Sequence, residues 1–174
     1  QTSVLTDVPA FNTGLVNYNA GGGPEQLRSG RVSADFFHLL GVPMTMGRTF
    51  NAAEDAPGGD KVAVLSHATW VRRFSCDASI LNKSISLSGE PYQVIGVLGE
   101  YAFRELGPEP EVFVAFQLDP NTADQGHYFR VAGRIVPGVT LEQAQAKLNA
   151  SAADYRAKFP QALQANASFT VQPI

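Results

Sequence analysis

Cysteine is nearly absent from this sequence, and it has no long apolar run. Cys76 is the only cysteine among 174 residues, which excludes an internal disulfide and a zinc site built from several cysteines. The apolar runs are far shorter than the roughly 20 residues that a membrane-spanning helix requires. No signal peptide is visible, and the chain begins with Gln1 instead of methionine. We therefore expect an excised or processed piece of a longer protein.

An excess of positive charge is also missing. Lysine and arginine total 13 against 16 aspartates and glutamates, which gives a net charge of -3. This balance excludes the basic surface of a nucleic-acid-binding protein and a polybasic membrane patch. Hydrophobic residues make up 44% of the chain, which is enough for one sizeable core or for two small lobes that share an interface.

Short apolar and alternating runs predict strands after a weakly patterned start. The predicted strands are residues 25–33, 61–65, 85–98 as a hairpin, 112–118, 127–136 and 167–174. Gly89 can take the positive φ that the hairpin turn requires. In 112–118 we expect Val112, Val114, Phe116 and Leu118 on one face. Because strands and helices mix without a regular βαβ order, the predicted fold class is α+β.

Capping residues mark a short helix and a long one. Ser33 precedes "ADFFHLLG", where Gly41 provides a left-handed stop. Thr140 and Gln143 predict a capping box at the start of "TLEQAQAKLNASAADYRAKF", which Pro160 ends. The apolar stripe of this long helix consists of Leu141, Ala144, Leu148, Ala152, Tyr155 and Phe159.

Ser66 and His67, at the end of the strand "KVAVL", could be a nucleophile and its base. Adjacent residues at a helix start point about 100° apart, so they do not naturally hydrogen-bond to each other. The run "VLSHA" also lacks the glycines of the nucleophile elbow. Ser66 instead suits the N-cap of "HATWVRRF", whose Trp70 and Phe74 are four residues apart and face the core. We predict a cap and not a catalyst.

Metal and phosphate sites find little support. The histidines lie in different elements without ligand spacing: His38, His67 and His127. The loop "NAAEDAPGGD" lacks the order of an EF-hand, so we expect Glu54, Asp55 and Asp60 in a solvated loop. The glycines at 21–23 are followed by Pro24 and not by a phosphate-loop sequence.

The remaining polar candidates have ordinary interpretations. Arg72 and Arg73 suit the water-exposed side of an amphipathic helix. A catalytic carboxylate pair needs a fixed separation across a cleft, which this sequence does not supply for Glu100, Glu105, Glu109 and Glu111. Three asparagines match the glycosylation pattern: Asn82, Asn149 and Asn166. We therefore predict no catalytic, cofactor-binding or metal-ligating residue and no enzymatic activity.

Four blocks in order resemble the extracytoplasmic core domain of MacB-like ABC transporter permeases. They are "GRVSADFFHLLGVPMTMGRTF" before an acidic Pro/Gly loop, "KVAVLSHATWVRRF", "DASILNKSISLSGEPYQVIGVL" and "YFRVAGRIVPGVTLEQAQAKL". The resemblance covers residues 28–174. The sequences of the second and fourth blocks are similar to those of tandem permeases of acidobacteria. Ala115 stands where the family often has proline.

The resemblance implies a two-lobed domain. A porter-like α/β lobe would combine residues 1–45 and 118–174, and a β-rich insertion would hold residues 46–117. The domain would lie in the periplasm as part of an inner-membrane protein.

The implied function is coupling without catalysis. A cytoplasmic ATPase would drive the transmembrane helices of the same parent chain, and this domain would pass the motion to substrates or to a periplasmic partner protein. A second permease copy is expected in the membrane. The alternative is a stand-alone extracytoplasmic sensor or solute-binding domain.

Overall fold

The computed structural model describes residues 4–19, 23–103, 107–119, 129–159 and 169–173. The strands are β1 (Leu5–Thr6), β2 (Ala10–Asn19), β3 (Pro24–Val32), β4 (Met44–Gly47), β5 (Val62–Leu65), β6 (Ser84–Leu87), β7 (Glu90–Leu98), β8 (Val112–Ala115), β9 (Arg130–Val131) and β10 (Arg134–Ile135). The helices are α1 (Phe36–Leu40), α2 (Ala52–Asp55), α3 (His67–Phe74) and α4 (Leu141–Lys158). This mixture confirms the predicted α+β class.

Six of the strands pair in a closed ring, which makes a small barrel. Around the ring, β2 pairs with β3, β3 with β8, β8 with β5, β5 with β7, β7 with β6, and β6 with β2. The β3–β8 and β5–β7 pairs are parallel, and the other pairs of the ring are antiparallel. The shortest pairing of the ring joins β2 to β6, where Tyr18 pairs with Leu87 and Asn19 with Ser86.

Core side chains lie on both sides of the barrel wall. All six strands of the ring contribute to a mostly aliphatic cluster on the inside: Tyr18, Leu27, Ala63, Leu65, Ile80, Ile85, Leu87, Val94, Val97, Val112 and Val114. A second cluster packs α1 against the outside, where the rings of Phe37 and Phe113 meet edge to face with centroids 5.1 Å apart. Strand β8 is therefore buried on both faces. Val112 and Val114 share the inner face, as predicted, but the strand ends at Ala115 and does not extend to Leu118, which is 38% exposed.

Three local predictions at turns and caps had different outcomes. The hairpin β6–β7 is confirmed, with φ of 53° at Ser88 and 85° at Gly89, the two positive values of its tight turn. Gly41 ends α1 with φ of 66°, as predicted. Ser33 does not cap α1, because its hydroxyl accepts a hydrogen bond from the backbone N–H of Ala10 (3.1 Å) and Asp35 occupies the N-cap position.

The two ends of the chain differ from their predictions. Residues 4–19 were expected to carry little pattern but contain β1 and β2. The predicted strand 127–136 is broken into β9 and β10. In the predicted strand 167–174, residues 169–173 form no strand, and the rest lies outside the described residues. His127 and Pro160 lie outside them as well. The capping box of α4 is confirmed by hydrogen bonds between Thr140 and Gln143 of 2.9 and 3.2 Å.

The barrel takes strands from both segments that the resemblance separates. Strands β2 and β3 belong to residues 1–45, and β5 to β8 belong to residues 46–117. The lobe boundaries at residues 45 and 118 stay a prediction. Among the described residues, no helix is long and apolar enough to cross a membrane.

Candidate functional site

Ser66 is a buried helix cap. Its side chain accepts a hydrogen bond from the backbone N–H of Thr69 (3.2 Å) and donates its own proton to the Thr69 hydroxyl (2.9 Å). The residue is 2% exposed, so substrate has no access to the oxygen. His67 packs edge to face on Trp70 and lies 3.9 Å from the carboxylate of Glu100. The predicted cap is confirmed.

The prediction of a solvated acidic loop is confirmed for Asp60, which is exposed, but was wrong for Glu54, which is buried, and for Asp55, which is half-buried. Asn51 caps α2 with a capping box that includes Glu54, which is 6% exposed. Both carboxylate oxygens of Glu54 accept from Arg48, at 2.8 and 2.6 Å. These hydrogen bonds lower the pKa of Glu54 and raise that of Arg48. The spacing N-x-x-E at residues 51–54 was the sequence signal that could have predicted this helix.

Asp55 ties three separate segments together, an arrangement that we name the Asp55 clamp. Its carboxylate accepts from the backbone N–H of Ala34 (2.9 Å), just before α1, and from that of Gln117 (3.0 Å), just after β8. The side-chain amide of Gln117 donates back to the carbonyls of Glu54 (2.9 Å) and Gly59 (3.0 Å). Gln117 holds a positive φ of 51°, so these bonds fix an unfavourable backbone conformation.

Glu111 is the centre of a second buried cluster, which we name the Glu111 cluster. The residue is 6% exposed, and its carboxylate accepts from the backbone N–H of Arg28 at 3.0 Å. Arg72 donates to the same carboxylate, and the guanidinium groups of Arg73 and Arg28 lie 3.6 and 3.8 Å away. Arg73 also pairs with Glu25. Arg72 is exposed, as expected for the water-facing side of α3, whereas Arg73 is half-buried, contrary to the expectation.

The other predicted carboxylates do not join Glu111. Glu100 is exposed beside His67, and the carbonyl of the exposed Glu109 accepts from the Arg28 side chain (2.8 Å). Glu105 and Asn166 lie outside the described residues. Asn82 is exposed, and Asn149 lies in α4, as predicted.

The carboxylates of both clusters are already occupied by hydrogen bonds within the fold. Asp55 accepts from the backbone N–H groups of Ala34 and Gln117, and Glu111 accepts from Arg72 and from the backbone N–H of Arg28, so neither is positioned to take a proton from a substrate. Among the described residues, no three His, Cys, Asp or Glu side chains gather where a metal ion could bind. The arrangement supports rigidity: each cluster connects segments that are far apart in sequence.

Comparison with known proteins decides the family. The chain matches the family model of the MacB-like periplasmic core domain over residues 2–151. The chain belongs to this family. No curated protein sequence matches it.

Two solved structures share the fold of this MacB-like domain. The periplasmic region of MacB from Actinobacillus actinomycetemcomitans is similar with a TM-score of 0.70 at 16% identity, over 90% of this chain and 70% of that chain. The extracellular domain of the noncanonic ABC-type transporter YknZ from Gram-positive bacteria is similar with a TM-score of 0.67 at 16% identity, over 91% and 78%. At these identities the likeness establishes the fold alone.

Proposed function

We propose that this chain is the extracytoplasmic domain of an ABC transporter permease and that it couples motion of the membrane helices to substrates or partners outside. The observation that carries the proposal is the family match over residues 2–151. A cytoplasmic ATPase drives the transmembrane helices of the same parent chain, and a second permease copy pairs with it in the membrane. A periplasmic partner protein or substrate receives the motion, and no catalytic step occurs in the domain.

The internal bracing supports a coupling role. A lever must keep its shape under load, and the Asp55 clamp and the Glu111 cluster fix the barrel to α1, α2 and α3 through buried, charge-assisted hydrogen bonds. Motion applied at one end of the barrel is therefore transmitted and not absorbed locally. The division into a porter-like lobe (1–45 and 118–174) and a β-rich insertion (46–117) remains part of this proposal.

The location is tested in cells that express the full-length parent protein. After membrane fractionation, we expect the segment in the inner-membrane fraction, cleaved by added protease only once the outer membrane is permeabilised. Signal in the soluble cytoplasmic fraction would contradict the proposal and favour a stand-alone domain of shared fold.

The coupling is tested through the native cysteine. Cys76 is exposed, so a spin label can be attached there in the full-length permease with every other cysteine replaced. We expect the distance between the labels on the two copies to change by several Å when a non-hydrolysed ATP analogue binds the ATPase subunit. Domain motions on the μs–ms timescale involve displacements of this size. A mutant ATPase subunit that cannot bind nucleotide is the control. An unchanged distance with nucleotide bound would contradict coupling.

A further inference from the structure

The middle of the outer edge of β2 carries backbone groups beside which no strand of the described residues lies. Because Ser33 donates its backbone N–H to the carbonyl of Ala10 (2.9 Å), even-numbered residues of β2 direct their backbone groups toward β3. Odd-numbered residues direct theirs to the opposite side. There Pro9 accepts from the N–H of Ala132 (3.1 Å) and Asn17 from that of Ser88 (2.6 Å).

Thr13 and Leu15 lie between these two contacts. Strand β9 pairs with β2 at Ala10 and Phe11, and β6 pairs with it at Tyr18 and Asn19. No strand of the described residues pairs with the outward edge at Thr13 and Leu15. Leu15 is 61% exposed, the largest exposed fraction among the large hydrophobic side chains that the structure describes.

The unpaired edge borders a slot in the barrel wall. The stretch from Thr13 to Leu15 spans about 10 Å at roughly 3.3 Å per residue, which is enough for a short extended segment. The slot opens into a cavity of about 400 Å³, whose lining includes Asp60, Val62, Glu90 and Tyr92 opposite β2. Strand β9 bounds one end, and the β6–β7 turn bounds the other.

We propose that this slot binds an extended segment of a partner polypeptide by strand addition to β2. Only an extended chain presents N–H and C=O groups at the spacing that Thr13 and Leu15 offer. The inference goes beyond the coupling function and stands on the geometry of β2 alone.

The charges of the slot specify the partner further. The lining carries Asp60 and Glu90 against Arg31. Glu90 is paired with Lys61 (2.5 Å), and Arg31 donates to the carbonyl of Phe116 (2.9 Å). Asp60 has no ion-pair partner among the described residues. Arg31 has no carboxylate partner among the described residues either, so its charge balances that of Asp60, and an extended segment without excess charge of either sign fits the slot.

A second copy of this chain fits the slot less well. Pairing two β2 edges would bring the β9 and β6–β7 flanks of one copy against those of the other, because the edge is recessed between them. A single extended segment has no such flanks.

The test selects a displayed library of random nine-residue peptides on this chain, after depletion on the Leu15→Pro variant. Proline at this position removes the outward N–H and leaves the pairing with β3, since Leu15 does not hydrogen-bond to β3. Leu15→Thr is the matched control that keeps the N–H. Amide exchange then follows Thr13 and Leu15 with one selected peptide and with the same peptide methylated on alternate backbone nitrogens.

We expect selected peptides in which apolar residues alternate and basic and acidic residues are balanced. The peptide slows exchange at Thr13 and Leu15, Leu15→Pro weakens binding roughly tenfold, and Leu15→Thr keeps most of it. Methylation abolishes the protection even if Leu15→Pro fails to fold.

Three results would overturn the proposal. The first is that no peptide is recovered above background. The second is that the amides of Thr13 and Leu15 stay protected when the peptide is methylated, and the third is that peptides bind the Leu15→Pro and Leu15→Thr variants equally. Concentration-dependent dimerisation that protects the same two amides would assign the slot to a second copy instead.

Discussion

The barrel and helix α4 bury very different amounts of apolar surface. All residues of β5 and β8 are buried, whereas in α4 only Ala144 and Ala152 are, and Tyr155 and Phe159 are 38% and 51% exposed. The barrel is thus stabilised by core packing and buried charge, and α4 mainly by its own capping box and by contacts at its ends. Regions that differ in this way open with different free energies.

Removing a core aromatic ring gives the largest expected effect. Phe113 is 0% exposed and packs on Phe37 and Phe103 with ring centroids 5.1 and 5.0 Å away. We expect Phe113→Ala to lower the free energy of unfolding by about 3–5 kcal/mol, measured by urea denaturation. Phe159→Ala makes the same change at the C-cap of α4 and is expected to cost less than about 0.5 kcal/mol. Equal losses would contradict the comparison.

Glu54→Gln should lower the free energy of unfolding by about 2 kcal/mol at neutral pH. The change removes the negative charge that strengthens the hydrogen bonds of this side chain to Arg48 and to the N-cap residue of α2. The pKa of Glu54 is lowered in the folded state, so its contribution to stability is present above its ordinary value of 4.5 and is lost as the pH falls through the folded value. The difference between the parent chain and Glu54→Gln should therefore shrink below about pH 4.5.

The control for Glu54 is Glu100→Gln, since the side chain of Glu100 is 88% exposed. This change is expected to cost no more than about 0.5 kcal/mol at any pH. A pH-independent difference for Glu54→Gln would contradict the role of its charge.

Removing the cap of α3 should cost about 1 kcal/mol. Ser66→Ala leaves the backbone N–H of the buried Thr69 and its hydroxyl without their partner. Because α3 packs on the barrel through Trp70 and Phe74, the loss is expected in the global denaturation midpoint. Ser66→Thr, which can keep the cap, should lose less, and an unchanged midpoint for Ser66→Ala would count against the cap.

Local signals explain what could be predicted from the sequence. Gly89 predicted the hairpin turn, and Ser66, Thr140 and Gln143 predicted their helix starts, because each structure is made by residues within a few positions. Strand β2 was missed since its inward face carries Asn12 and Gly14 near the slot, which removes the alternation of polar and apolar residues.

Long-range contacts explain what could not be predicted. Arg72 and Glu111 are 39 positions apart, and Asp55 and Gln117 are 62 apart. Spacing along the chain carries no information on such pairs, so the Asp55 clamp and the Glu111 cluster follow only from the way the strands close. The order of strands around the barrel was unpredictable for the same reason.

Removing the cap of α4 gives the smallest global effect and the sharpest comparison. Thr140→Ala loses the hydrogen bond to Gln143, a local cost of about 1 kcal/mol like that of Ser66→Ala. If α4 opens separately from the barrel, amide exchange in its first turn should accelerate about fivefold. The global free energy of unfolding should then fall by no more than about 0.3 kcal/mol. Thr140→Ser, which keeps the cap, should leave both unchanged. A midpoint shift as large as that of Ser66→Ala would mean that α4 unfolds together with the barrel, despite its sparse burial.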